Sequence, residues 1–316
     1  MSAHIRSLEG RLFLCEPAAL ERAVRRAFAA PRCPTMRELV QTRAEQMALG
    51  AQAAAYGVRA VKGKIGLLPI IGPIDQRFGA EIEKTGGTAL EWVHTVFDAL
   101  LADSTIGAIV LEVDSPGGGV YGVEELADKI YRARDVKPIY AIANSQACSA
   151  AYWIASAAGH LAVTPSGDVG SIGVYCVHVD ESKQMEQLGL RVTCVQAGEH
   201  KTDGAPWAPL SDGARERLQA GVDALYERFV SAVARYRGVT PATVRESFGR
   251  GAMVAAPEAL AAGMVDRITP LHELLAKLTG RGQGPGGQSS RADVSMLRRR
   301  IEHARQKTAQ LTGQLR

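Results

Sequence analysis

An α/β fold of crossover units on a mostly parallel sheet is what this sequence predicts, and three observations predict it. From Lys64 onward, short apolar runs alternate with stretches of helical periodicity. The runs are apolar along their length rather than at every second residue, as strands covered on both faces are. With 316 residues, 46% apolar and 22% charged, the chain has enough material to bury a sizeable core.

Taken in order, IGLLPIIG (65–72), IGAIVLEVD (106–114) and PIYAIAN (138–144) read as strands. ALEWVHTVFDALLA (89–102), VYGVEELADKIYRAR (120–134) and SAAYWIASA (149–157) read as the helices between and after them. SIGVYCVHVD (171–180) and LRVTCVQAG (190–198) continue the strand pattern. Two helical stretches follow, Asp212 to Tyr236 and Thr240 to Phe248, and AAPEALAAGMVDRI (255–268) closes the core near Lys277. Pro138 to Gly167 carries no Lys, Arg, Asp or Glu, but Asn144, Gln146 and several serines interrupt it and its apolar residues are mostly alanine. That composition predicts buried interior rather than a membrane span.

In front of this core, Pro17 to Ala30 and Thr35 to Tyr56 have helical spacing and are joined by the breaker PRCP, giving an N-terminal helical preface over 1–60. The α/β core occupies 61–278, and 279–290, containing GRGQGPGGQSS, is a flexible linker by composition. In the tail, 291–316, Val294, Leu297, Ile301, Ala304, Thr308, Leu311 and Leu315 recur at alternating spacings of three and four, the seam of a coiled coil or of an amphipathic helix that docks on a partner. Charge is segregated there: Arg281 to Arg316 holds eight Lys/Arg and two Asp/Glu, so this segment is +6 and the rest of a +4 chain is −2.

Several classes are disfavoured. The five cysteines (Cys15, Cys33, Cys148, Cys176, Cys194) form no C-x-x-C and the seven histidines no H-x-x-x-H, so neither a disulfide framework nor a metal site is signalled, no cofactor is expected, and a reducing, cytoplasmic compartment is the expectation. The apolar patch Leu12 to Cys15 is too short for the core of a secretory signal. The basicity belongs to the tail, and a basic tail can bind nucleic acid or another protein; a protein partner is the expectation here, and nucleic acid is not.

Chemistry is suggested by three segments. DSPGGG (114–119) follows an apolar strand and precedes a helical repeat, which predicts a glycine turn whose backbone N–H groups face outward at a helix N-terminus, where an oxyanion can bind. In NSQACSAAYWIA (144–155), Ser149 is expected at the first turn of a helix with small neighbours, as a nucleophile or simply as an N-cap. Ser145 and Cys148 are the nearest rival nucleophiles. A serine needs a base, and nothing in the sequence selects among His160, His178 and His200. Lys201, in the Gly- and Pro-rich AGEHKTDGAPWAPLS, is the other option, with a solvated surface lysine as the bland alternative. A lysine that acts as base near neutral pH has to titrate roughly 3 units below its ordinary value, about 4 kcal/mol of differential stabilisation.

In order along the chain, D-S-P-G-G, S-x-x-Y-W-I-A, G-D-V-G-S-I-G-V (167–174) and G-x-x-K-x-x-G-x-P-x-x-P-L-S (198–211) resemble the signal peptide peptidase A family of serine peptidases, including its phage head-maturation branch. The resemblance covers about Lys64 to Ile268 and implies the Clp protease/crotonase-like fold of stacked ββα units. It implies Ser149 as nucleophile, Lys201 as general base, the N–H groups of Gly118 and Ala150 as oxyanion hole, and Ser171 as support for the lysine amine. The chain departs from the family in carrying Ala150 and Ala151 where glycines usually follow the nucleophile.

The expected function is therefore a Ser-Lys endopeptidase acting on scaffold or capsid polypeptides inside an assembling head in the host cytoplasm. It is expected as a homo-oligomer without a membrane anchor, its tail contacting capsid or scaffold. A cytoplasmic signal-peptide-peptidase-like enzyme, a crotonase-type thioester enzyme and a non-catalytic scaffold-binding factor are the alternatives that the sequence leaves open.

Overall fold

The computed structural model describes residues 12–15, 59–61, 65–77, 79, 82 and 86–280. The helices expected at 17–30 and 35–56, the linker beyond 280 and the basic heptad tail lie outside the described residues.

Thirteen strands and eight α-helices are described, and two sheets organise them. The larger sheet follows the order β12-β10-β8-β6-β3-β2: Met253–Ala255, Asp168–Gly170, Ile139–Cys148, Ala108–Ser115, Ile65–Ile71 and Arg59–Val61. Its centre is parallel, with Ile65 to Ile71 of β3 matched in register to Ala108 to Asp114 of β6, and Ile109 to Val113 matched to Ile139 to Ala143 of β8. Two short strands share the other side of β8: β9 (His160–Val163) pairs with its first half and β10 with its last three residues. β13 (Arg267–Ile268) extends the sheet beside β9.

The smaller sheet runs β11-β1-β7-β4-β5: Tyr175–Cys176, Leu12–Cys15, Gly117–Gly119, Ile74–Asp75 and Thr88–Ala89. The three glycines of DSPGGG therefore form a strand, not a turn at a helix start. The helix they were expected to open, α2 (Val123–Ala133), begins only after Gly122 in the left-handed region.

The helices obey the spacing read from the sequence. α1 (Leu90–Ala102) buries Leu90, Val93, Val96 and Phe97, and α2 buries Val123, Leu126, Ala127, Ile130 and Ala133 with Glu124 and Glu125 at its positive end. α3 (Ala150–Ser156) is different, because every one of its residues is buried. It packs against α2, β6, β7, β8 and α5 (Asp212–Arg237), and its Trp153 stacks on Phe229 of α5 with ring centroids 4.5 Å apart. The alanines of 138–167 are buried, spread over β8, α3, the turn after it and β9, so the stretch is interior as its composition predicts.

The strands expected over 171–180 and 190–198 do not form as read. Only Tyr175–Cys176 pairs; α4 (Ser182–Gln187) intervenes, and 190–196 has no regular element. Leu188, Leu190, Val192 and Val195 are exposed, Val195 at 95%. β-propensity reports the fit of a side chain to neighbouring strands, and this segment has none to pair with. After it come α5, α6 (Pro241–Ser247), α7 (Ala256–Ala262) and α8 (Leu271–Leu278). None of the described helices is long and apolar enough to cross a membrane.

Candidate active site

Ser149 lies at the carboxyl end of central strand β8, immediately before α3, at the place where the larger sheet meets β7 of the smaller one. Its backbone is at φ 55° and ψ −118°, a conformation that a residue with a Cβ seldom takes. Neighbouring hydrogen bonds hold it there: the Ser149 N–H donates to the Gly170 carbonyl at 2.7 Å, and the Ser149 carbonyl accepts from the Trp153 N–H at 2.9 Å. With α3 buried in full, the corner has no freedom to relax.

The capping alternative is not what this serine does. It occupies the N-cap position, yet its hydroxyl makes no capping hydrogen bond. It donates instead, at 3.5 Å, to the Gly173 carbonyl. A side chain 1% exposed with so loose a partner is available for chemistry in a way that a capping serine is not. The rivals differ: Ser145 is exposed on β8 and donates to Asp114 at 3.0 Å, while Cys148 is wholly buried.

Gly118 is fixed as glycine by packing. A Cβ there would stand 1.8 Å from the Ile74 carbonyl oxygen and 2.6 Å from the Ile74 nitrogen, because β4 runs against β7 with Ile74 opposite Gly118. β7 in turn packs on α3, so Gly118 and Ala150 are carried by elements in contact. Ala150 opens α3, where a backbone N–H has no intrahelical acceptor. Ser115, to which the sequence reading gave no role, organises this strand: its buried hydroxyl donates to the Gly72 carbonyl at 2.6 Å and accepts from the Gly117 N–H at 3.1 Å. Nothing in a serine before a proline announces a partner 43 residues away.

The segment Gly170 to Gly173 closes the corner. Ser171 is buried at φ 52°, and its N–H donates to the Ala252 carbonyl at 2.9 Å. The structure therefore gathers Ser149, Ala150, Gly118 and the segment after β10 that carries Ser171.

Lys201 is not gathered with them. It is exposed, its N–H donates to the Gly198 carbonyl at 3.2 Å, and no hydrogen bond joins it to Ser149. Its turn is tied down by neighbours: the Asp203 carboxylate accepts from Arg217 Nε of α5 at 2.6 Å, His178 Nδ1 meets the Gly204 carbonyl at 3.2 Å, and the Glu181 N–H donates to Pro206 at 2.7 Å. His160 is exposed on β9, stacked on Tyr140, and His200 lies 3.4 Å from the Asp203 carboxylate; neither forms a Ser-His pair with Ser149. Among the described residues no cluster of three or more His, Cys, Asp or Glu is placed to hold a metal ion.

Behind the corner, Arg237 and Asp266 form a two-pronged ion pair at 2.7 and 3.0 Å, and Asp266 also accepts from the Leu161 N–H at 2.8 Å. Burial pushes the Asp266 carboxyl up, but the hydrogen bond and charge of Arg237 outweigh it and hold the group below its ordinary value. Tyr152 of α3 donates to the Met264 carbonyl at 2.9 Å nearby, its phenol pushed up by complete burial.

Comparison with known proteins bears on this arrangement. Residues 132–282 match Peptidase family S49. The chain is 35% identical over 217 residues to capsid assembly protease C of Escherichia phage lambda, and 33% identical over 219 residues to the head-tail preconnector protein GP5 of Enterobacteria phage P21. Each match takes in 69% of this chain, but 48% and 43% of those proteins, so the chain spans about half the length of these curated relatives or less. Among solved structures, a membrane-bound stomatin-specific protease aligns at a TM-score of 0.43 and 17% identity over 69% of this chain and 85% of its own. A ClpP1 variant from Listeria monocytogenes aligns at 0.40 and 18% over 66% and 94%.

Proposed function

Because residues 132–282 match Peptidase family S49, we propose that the chain is a serine endopeptidase of that family that cleaves scaffold or capsid polypeptides during phage head assembly. The observation that carries this reading is the Ser149 hydroxyl, held out of its capping role at a strained, buried corner beside Gly118. A peptide lies extended along a strand edge, and Ser149 Oγ attacks the carbonyl carbon as its proton passes to Lys201. The oxyanion is met by the N–H groups of Gly118 and Ala150. Lys201 then protonates the leaving amine, and water releases the acyl group from Ser149. Ser171 orients the lysine amine. The substrate class follows the two phage relatives, one of which is a capsid assembly protease by name.

Lys201 comes to Ser149 through assembly in this reading. The arm that carries it exposes Val177, Leu188, Leu190, Val192, Val195 and Trp207, an apolar surface that suits contact with a second copy. Such contact would remove water from the lysine, which is what a lysine base requires.

The test is cleavage of co-expressed scaffold, or of casein, by the wild-type chain and by Ser149→Ala and Lys201→Ala, with products identified by mass spectrometry. Each variant is expected to fold and to lose at least about 10⁴-fold in kcat. Full activity in either one removes that residue from the mechanism.

A further inference from the structure

β1 (Leu12–Cys15) stands between two strands that belong to the two sides of the Ser149 corner. On one side it runs antiparallel to β7, with Leu14 opposite Gly118 and Cys15 opposite Gly117. On the other it runs antiparallel to β11, with Leu12 opposite Cys176 and Phe13 opposite Tyr175. β7 and β11 do not pair with each other, so the space between them is one strand wide.

Both edges lead to the nucleophile. β7 packs on α3, and β11 begins two residues after Gly173, whose carbonyl accepts from the Ser149 hydroxyl. Carried on by two residues, the β1–β11 register brings Cys15 level with Gly173, while the β1–β7 register already sets Cys15 opposite Gly117. The two registers converge at the end of the slot where Ser149 stands. A slot bounded by two strand edges and ending at a nucleophile accepts an extended peptide of almost any sequence, because its main-chain groups supply the hydrogen bonds.

β1 is also the odd member of its sheet. The other four strands come from chain that runs through the α/β core between Ile74 and Cys176, whereas β1 is separated from the next described strand by the stretch Glu16 to Val58. β1 is part of no crossover unit of the α/β core, so its departure from the sheet undoes none.

We propose that the slot between β7 and β11 is the peptide channel of the enzyme, and that Leu12–Cys15 is a self-docked strand of this chain which a substrate has to displace. The inference rests on the peptidase reading of Ser149 for its consequence, though not for the slot itself. An intramolecular competitor lowers the fraction of chains able to bind substrate and so raises KM, while leaving kcat, which is read once substrate is seated, unchanged.

The experiment uses the full-length chain carrying Leu14→Pro. Each N–H of β1 faces one neighbour or the other, so proline in its interior removes a ladder bond and should release the strand. Relative to wild type, KM for a fluorogenic casein peptide is expected to fall about tenfold with kcat unchanged. A second readout needs no turnover: a labelled peptide of residues 10–17 should bind the Ser149→Ala, Leu14→Pro chain at least tenfold more tightly than the Ser149→Ala chain, measured by anisotropy. A third needs no proline: saturating the Ser149→Ala chain with that peptide should speed amide exchange across 12–15.

Unchanged KM in a folded Leu14→Pro chain, equal peptide binding by the two Ser149→Ala chains, or exchange at 12–15 indifferent to the peptide would each overturn the proposal. Peptide binding with the expected difference but no hydrolysis by any form of the chain would keep the slot and discard the peptidase reading.

Discussion

The Ser149 corner and the Lys201 arm serve one proposed reaction and are built in opposite ways. At the corner, a residue at φ 55° is held by backbone hydrogen bonds to Gly170 and Trp153, between a strand at the centre of the sheet and a helix with no exposed residue. Along the arm, 190–196 has no element, the apolar side chains face outward, and Lys201 is exposed. The fold of one copy over-determines the proposed nucleophile and leaves the proposed base on a surface. Strain of the kind found at Ser149 costs on the order of 1–3 kcal/mol and persists only where packing enforces it. A lysine base needs the reverse, a site that loses water at the right moment.

The harshest test of the corner is Gly118→Ala. Its Cβ would fall 1.8 Å from a backbone oxygen, and neither β4 nor β7 can shift without disturbing its neighbours in the sheet. Stability is expected to drop by about 3 kcal/mol or more, with activity lost in parallel, as read by urea unfolding and casein hydrolysis. An unchanged unfolding midpoint would mean that Gly118 is not pinned against Ile74, and the proposal of a rigid oxyanion site there would go with it.

What the sequence disclosed follows the same division. β3, β6 and β8 were legible because Val, Ile and Leu fill both faces of a parallel sheet, and α1 and α2 because their buried residues recur at three and four. Ser149 was legible as a candidate, but its backbone conformation was not, since positive φ at a serine is imposed by tertiary contacts. β7 was misread because three glycines carry no strand propensity; they pair because Ile74 leaves no room for a side chain at Gly118. Along the arm the error ran the other way, with Leu190, Val192 and Val195 having the composition of a strand but no strand beside them. The Leu12 to Cys15 patch, dismissed as too short for an export signal, became a strand only through partners more than 100 residues away.

A smaller effect is expected at the rear of the corner. Asp266→Asn removes the charge that Arg237, 7% exposed, is paired with. Breaking a fully buried pair costs about 3–5 kcal/mol, and Asp266 is 40% exposed, so about 2 kcal/mol is the reasonable figure. The folded-state pKa of Asp266 lies below its ordinary 3.8, so the bridge contributes in full above that value and is lost as the pH falls through the folded-state value. Urea midpoints of the two proteins should differ most near neutral pH and converge in acid. A gap that is constant with pH would show that the bridge does not report on ionisation.

On the arm, Asp203→Asn should separate stability from activity. Asp203 and Arg217 are 26% and 44% exposed, and a pair of that kind contributes about 0.2–1 kcal/mol, too little to move the unfolding midpoint clearly. Yet this pair ties the Lys201 turn to α5, and a base that wanders by an ångström loses much of its effect. The variant is therefore expected to unfold like wild type while kcat falls severalfold and KM stays put, and high salt should push the wild type the same way by screening the pair. The corner predicts that stability and activity fall together; the arm predicts that activity falls alone. If Asp203→Asn instead loses stability without losing kcat, the arm is ordinary structure, Lys201 is not positioned through it, and the proposed base has to be sought elsewhere.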